Sequence, residues 1–252
     1  WPLAVLTGLS FSTPEPGLQN YQWFFASDKN VNVLIRTFAI SGWVTLVCLI
    51  CAYPYAWLLT TVTPRMRMIL LMGVMVPFWI SGTVRTLAWV VILQDSGVIN
   101  TALQSVGLGK IKLIRTQLGV TIGMAQVLMP FAILPLYSVM KSIDLRLVRA
   151  ARSLGAGPVR AFVGVYLPLS VPGIVAAASL VFILALGFYI TPALLGGPRS
   201  VMLSSLAQTQ VSTLLDWGKG GAIGVILLVS TFAVLALVAP FVRQRYRKGS
   251  RS

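Results

Sequence analysis

The chain has 252 residues, 57% of them apolar and only 10% charged, with a mean hydropathy of +0.86. Soluble domains carry about a quarter charged residues and outer-membrane barrels alternate in ten-residue strands; neither pattern is present, so the composition specifies an all-α polytopic membrane protein. The net charge of +15 is spread over short loops, which fits the Lys and Arg that membrane proteins keep in cytoplasmic loops and argues against a nucleic-acid partner.

In chain order, Trp1 to Phe11 reads as the tail of an apolar segment, so a first span is expected to lie largely ahead of this sequence. Five further spans follow from apolar length: Val33 to Leu59, Ile69 to Leu93, Leu118 to Met140, Val171 to Leu195 and Ala222 to Val242. About six transmembrane helices are thus predicted, in a single domain over 1–252. Cys48 and Cys51 sit inside the first of the five with no His and no other Cys in the chain. That surrounding suits neither a redox pair nor zinc, and the two are read as small apolar residues on a helix face.

The loop charges set an orientation. Arg65, Arg67, Lys141, Arg146, Arg149, Arg152, Arg160, Arg243, Arg245, Arg247, Lys248 and Arg251 fall on one side; Lys29, Arg36, Lys110, Lys112, Arg115, Arg199 and Lys219 fall on the other. The positive-inside bias places the first group, and with it the C-terminus, in the cytoplasm. Tyr53, Tyr55 and Trp57 mark an inner boundary, and Trp89 and Trp217 mark outer ones, as amphipathic rings favour the interface. Pro54, Pro77, Pro130, Pro135 and Pro192 each remove a helical donor and kink a span. Two prolines in one span, and Gly187 ahead of Pro192 in another, would let these helices bend around a pathway. Arg85 is the one charge inside a span. Its burial would cost about 3 kcal/mol, so it either snorkels to the outer interface or serves a substrate or gate.

The segment 141–170 is the one basic, Gly/Pro-punctuated stretch between two long apolar runs. Asp144 should cap a short helix, Gly155 should end it in a left-handed conformation, and Gly157-Pro158 should turn the chain into a second helix with Pro158 in its first turn. Pro168 should then stop that helix before the next span. Arg146, Arg149 and Arg152 recur every three residues and form a stripe, while Ala150 and Ala151 leave room for another backbone. A solvated basic loop on anionic lipid headgroups is the plain alternative.

Here the sequence resembles the permeases of binding-protein-dependent ATP-binding-cassette (ABC) importers. These carry Glu-Ala-Ala-x3-Gly-x9-Ile-x-Leu-Pro in the loop before the penultimate span, and Ala150, Ala151, Gly155, Val165, Leu167 and Pro168 stand at that spacing. Asn20-Tyr21, Tyr53-Pro54, Pro77-Phe78-Trp79, Val84-Arg85-Thr86, Gly97-Val98-Ile99-Asn100, Thr191-Pro192, Leu195-Gly196-Gly197 and Asp216-Trp217 extend the likeness to the spermidine/putrescine-type subgroup. The resemblance implies a MetI-like permease fold in the bacterial inner membrane. It also implies a second homologous permease, two ABC ATPase subunits docked on the hairpin, an extracytoplasmic solute-binding protein, and a coupling role for Arg146, Arg149, Ala150, Ala151, Arg152, Gly155, Leu167 and Pro168. Arg149 departs from the family, which has Glu there; the stripe is expected to meet a more acidic groove on this system's own ATPase. By the same resemblance Phe188, Tyr189, Thr191 and Pro192 would line the path with Arg85, and a polyamine or related amino compound would be the solute.

No G-x-x-x-x-G-K-[ST] phosphate loop occurs, and Gly107-Leu108-Gly109-Lys110 reads as a turn. No Asp, Glu or His lies well inside a span, where a proton- or sodium-driven carrier generally places one. A secondary carrier or channel is therefore the alternative, and a membrane-embedded enzyme a weaker one. The chain itself is expected to be no enzyme, to bind no metal or cofactor, and to use ATP-Mg held on the partner ATPases.

Overall fold

The computed structural model describes residues 2–249, with side chains over 4–236. Among them the regular elements are helices: α1 (Pro2–Ser12), α2 (Gln19–Phe25), α3 (Asp28–Thr61), α4 (Pro64–Met75), α5 (Gly82–Leu93), α6 (Val98–Ser105), α7 (Gln117–Lys141), α8 (Leu145–Ser153), α9 (Pro158–Ala161), α10 (Leu167–Leu186), α11 (Ile190–Leu195), α12 (Leu203–Ser212) and α13 (Trp217–Gly249). Five segments are long and apolar enough to cross a membrane: Asp28–Thr61, Gly82–Ser105, Gln117–Lys141, Pro158–Leu186 and Trp217–Ala236.

The core is the seam where α3, α7 and α10 meet. On α3 the fully buried residues Ile40, Val44, Cys48, Ala52 and Ala56 recur every four positions, the helical spacing that puts them in one ridge. Ala132, Leu136 and Met140 continue the pattern on α7, and Ala177, Val181 and Ala185 on α10. Lipid tails are as apolar as leucine, so close packing rather than exclusion from water holds such helices together, and small residues make the approach possible. Gly173 shows how close: an added Cβ would sit 3.0 Å from Cβ of Val139. Cys48 packs in this seam with its thiol donating to the Ala125 carbonyl at 3.5 Å, whereas Cys51 is exposed.

The span expected over Ile69 to Leu93 is not one helix. α4 ends at Met75, a 3-10 turn covers Val76–Trp79, and Ile80 and Ser81 are extended before α5 begins. Pro77 has no N–H for the Gly73 carbonyl; Val76 ahead of it keeps helical backbone, and the chain extends three residues later, at Ile80 and Ser81. Each half-span is 12 residues long, or about 18 Å at the helical rise. The two halves together are long enough for a hydrocarbon layer about 30 Å thick. Arg67, below the break, donates to the carbonyls of Leu59 (2.8 Å) and Val62 (3.3 Å) and so closes the end of α3.

The span expected over Val171 to Leu195 is displaced as well. Helix runs from Pro158 through a π-helical turn at Phe162–Tyr166 into α10, and it ends at Gly187, with α11 as a separate short helix. Pro168 does not stop it. In the π turn the Leu167 N–H reaches back five residues to the Phe162 carbonyl, so the wider turn absorbs the proline within a continuous rod.

At the other end of the molecule α1 and α13 pack backbone to backbone. Cβ atoms on Gly218 and Gly221 would lie 2.3 Å from the Thr13 carbonyl oxygen and 2.7 Å from that of Leu6. Asn20 ties α2 to this joint by donating to the carbonyls of Ser10 (2.9 Å) and Thr13 (2.7 Å). Gly107 has φ +77°, as the expected turn requires. The C-terminal basic side chains Arg243, Arg245, Arg247, Lys248 and Arg251 lie outside the described side chains.

Candidate functional site

The hairpin is capped at both ends of its first helix. The Asp144 carboxylate accepts from the Arg146 N–H at 2.8 Å, satisfying a donor that the helix leaves unpaired. At the far end Gly155 has φ +88°; its N–H bonds to the Arg152 carbonyl (3.0 Å) and that of Ala156 to the Ala151 carbonyl (3.1 Å). This is the complete Schellman pair, which only a residue tolerant of left-handed backbone completes without strain. Gly157 then sits ahead of Pro158, which opens α9.

Arg146, Arg149, Arg152 and Ala150 are exposed, Ala151 is half-buried, Leu167 is half-buried and Pro168 is exposed. Beside the basic stripe lies an apolar set that the spacing argument missed: Leu145, Leu147, Leu154, Val159 and Val163 all face outward, with Leu154 89% exposed. The missed signal was a run of leucines inside a loop too polar to be a span. A basic ridge with adjacent bare leucines is the surface of something meant to be covered.

Two features join this hairpin to the core. α9, the π turn and α10 form one rod, so displacement of Pro158 is carried into a spanning helix. The rod is also clasped to α3. The Phe162 ring stacks on Tyr166 (centroids 5.5 Å apart) and meets Tyr53 edge-on at 6.2 Å, and the Tyr53 and Ser170 hydroxyls share a hydrogen bond of 2.9 Å.

The expected path residues separate into two groups. Thr191 and Pro192 are buried, Thr191 sharing a hydrogen bond of 3.2 Å with Thr86 of α5 and packing where a Cβ on Gly123 would meet its methyl at 2.9 Å. Phe188 is half-buried and Tyr189 exposed, at the break after Gly187. Arg85 lies in the first turn of α5, after the break, and lines a cavity of about 600 Å3 between α3, α4, α5 and α7 with Tyr55, Gly73, Trp89 and Gln126. Its Nε is buried and has no hydrogen-bond partner. A second cavity of about 500 Å3, between α3, α10 and α13, is almost wholly apolar, with Thr45 and Ser179 its polar residues.

Residues 43–249 match the family described as binding-protein-dependent transport system inner membrane component. The spermidine/putrescine transport system permease protein PotB of Haemophilus influenzae is 34% identical over 214 residues, 84% of this chain and 74% of that protein. Among solved structures, a bacterial ABC transporter involved in the import of the acidic polysaccharide alginate superposes with a TM-score of 0.76 at 19% identity, covering 96% of this chain and 88% of that one. The bacterial alginate ABC transporter in complex with an alginate pentasaccharide-bound periplasmic protein gives 0.74 at 18% identity, with 99% and 88% covered. At such identities the likeness is one of fold.

Proposed function

We infer the function from one premise: the chain belongs to the family of binding-protein-dependent transport system inner membrane components. It is a permease subunit of an ABC importer, an inner-membrane transport protein and not a member of a catalytic family. Within that family we assign segment 141–170 to coupling. Its partners are two ABC ATPase subunits on the hairpin, a second homologous permease, and an extracytoplasmic binding protein that hands over the solute. The alginate transporter of like fold was solved in complex with a periplasmic protein, which is in keeping with the last of these. The cargo is a small amino compound, as the likeness to the spermidine/putrescine permease suggests.

The observation that carries the coupling assignment is the continuous rod from Pro158 to Leu186, exposed at one end and clasped to α3 by Tyr53, Phe162 and Ser170. ATP-driven movement of the docked subunits would displace the capped hairpin from the cytoplasmic side. The rod would transmit it as a tilt of α10, and the breaks at Pro77 and Gly187 would let the outer halves of their segments respond separately. Alternating access results, with no ionisable couple needed inside the span. The test is uptake by the complete importer in membrane vesicles. Uptake must cease when the ATPase subunits are inactivated in their phosphate loop. Uptake that persists would make the chain a secondary carrier or channel.

A further inference from the structure

The cavity beside Arg85 has a definite hydrogen-bonding polarity. The Trp89 indole N–H donates to the Gln126 amide oxygen at 3.3 Å. Indole N–H can only donate, so the amide oxygen must face it and the Gln126 NH2 is left to donate elsewhere. Tyr55 spends its proton on the Leu70 carbonyl at 2.9 Å. Arg85 brings a guanidinium with a buried, unpartnered Nε. No Asp or Glu lines the cavity; of the five acids of the chain, Glu15, Asp28, Asp95, Asp144 and Asp216, Asp95 shares a segment with Arg85 but lies past the C-terminal end of α5. The donors in this cavity thus outnumber what the side chains around them can accept. A bare polyamine, itself a set of donors with positive charge, would meet an unscreened arginine here.

We propose that this cavity receives the acid group of the transported solute: Arg85 and the Gln126 amide donate to a carboxylate or phosphonate, and the cargo is an amine that also carries an acid. The amine end has its own partners on the same walls. Trp89 offers an aromatic face to a cation. Pro77 and Pro130 deprive the carbonyls of Gly73 and Gln126 of their usual helical donors, and both residues line the cavity. The inference rests on the importer reading above and narrows the class of solute.

The experiment is uptake by the complete importer, reconstituted with its own binding protein in phosphatidylcholine liposomes holding ATP. Labelled putrescine, spermidine, 4-aminobutyrate and 2-aminoethylphosphonate serve as probes. An acid-bearing probe should be carried in preference to the two polyamines. Arg85→Gln should lower its uptake at least about tenfold, the loss expected for a charge-assisted hydrogen bond, and Arg85→Lys should restore part of it. Gln126→Glu, which supplies Arg85 with an internal acid, should lower uptake of the acid-bearing probe and raise that of putrescine relative to it, an inversion that mere misfolding would not give. ATP-driven uptake of a polyamine indifferent to Arg85→Gln overturns the inference and leaves the importer reading standing. Uptake of none of the probes overturns the inference, while the importer reading is judged by whether uptake ceases when the ATPase subunits are inactivated. Loss of the second permease on purification of Arg85→Gln would assign the arginine to a partner's carboxylate, and an Arg85 effect that appears only when phosphatidylglycerol is added would assign it to a lipid headgroup; either result overturns the proposal.

Discussion

Replacing Gly155 by valine isolates the backbone of the hairpin from its surface. At φ +88° an L-residue pays roughly 1–2 kcal/mol, and a β-branched one more, because its Cβ substituents crowd the neighbouring carbonyl. Nothing lies within 4 Å of an added Cβ at this position, so no clash adds to that figure in the free chain. Strain of this size is relieved by leaving the left-handed region, which breaks the bonds from Gly155 to Arg152 and from Ala156 to Ala151 at a further ~0.5–1.5 kcal/mol each. A shift of 1–2 kcal/mol alone is a factor of about 5–30 in the population of the ordered turn. Leu154 and Arg152 would be carried away from the positions in which the capped helix holds them. The assay is solute taken up per ATP hydrolysed by the reconstituted complex. Gly155→Val should lower that ratio several-fold with the protein still in the membrane, while Gly155→Asn, which tolerates left-handed backbone, should stay near the parent. If valine matched the parent, or asparagine failed as badly as valine, the backbone conformation of Gly155 would not be what coupling depends on.

Three further outcomes follow from the same geometry. Arg149→Glu should weaken association with the ATPase subunits by the ~0.2–1 kcal/mol of an exposed ion pair, up to about fivefold in a pull-down, with the difference shrinking at high salt. Gly218→Ala places a Cβ 2.3 Å from the Thr13 carbonyl oxygen; forcing α1 and α13 apart should cost ~1–3 kcal/mol, read as a lower melting temperature in detergent. Asp216 is partly desolvated, which alone would raise its pKa, but hydrogen bonds from the Lys219 N–H (3.0 Å) and side chain, with the ion pair to Nζ (2.9 Å), hold it below the usual carboxylate value. A carboxylate lowered on folding adds stability above its unfolded pKa and loses it as pH falls through the folded one. Thermal stability should therefore drop in acid below about pH 4, and Asp216→Asn should flatten that part of the profile.

The sequence showed the hairpin more clearly than the path. Asp144, Gly155 and Pro158 are local signals whose chemistry acts within four residues, and each sits where capping and turn rules put it. Pro168 reads by the same rules as a stop, but a π turn has no residue signature and accommodates the proline within the helix. Apolar length located α3 and α7 well, since both are continuous, and failed over Ile69 to Leu93, where hydropathy does not register the backbone break at Pro77. That failure also bears on Arg85: counted along an unbroken helix it belongs near the outer interface, whereas in the structure it sits in the first turn of α5 after the break and lines the same cavity as Gln126. The motif residues away from the hairpin are mostly structural. Asn20 secures α1, Asn100 bonds to Gln94, to Ile111 twice, and so closes the turn after α6, and Thr191 bonds Thr86. Such contacts join residues far apart in the chain, and spacing carries no trace of them.

The coupling role of the hairpin is tested most directly by a photo-crosslinking amino acid at Leu154, the bare leucine beside the Schellman turn, in the complete importer in native membranes. Leu108, exposed in the turn at the other end of the molecule, serves as the comparison position. A coupling hairpin gives a covalent adduct between position 154 and the ATPase subunit and none from position 108. Adducts from 154 confined to lipid, or ATPase adducts from 108 instead, would contradict it.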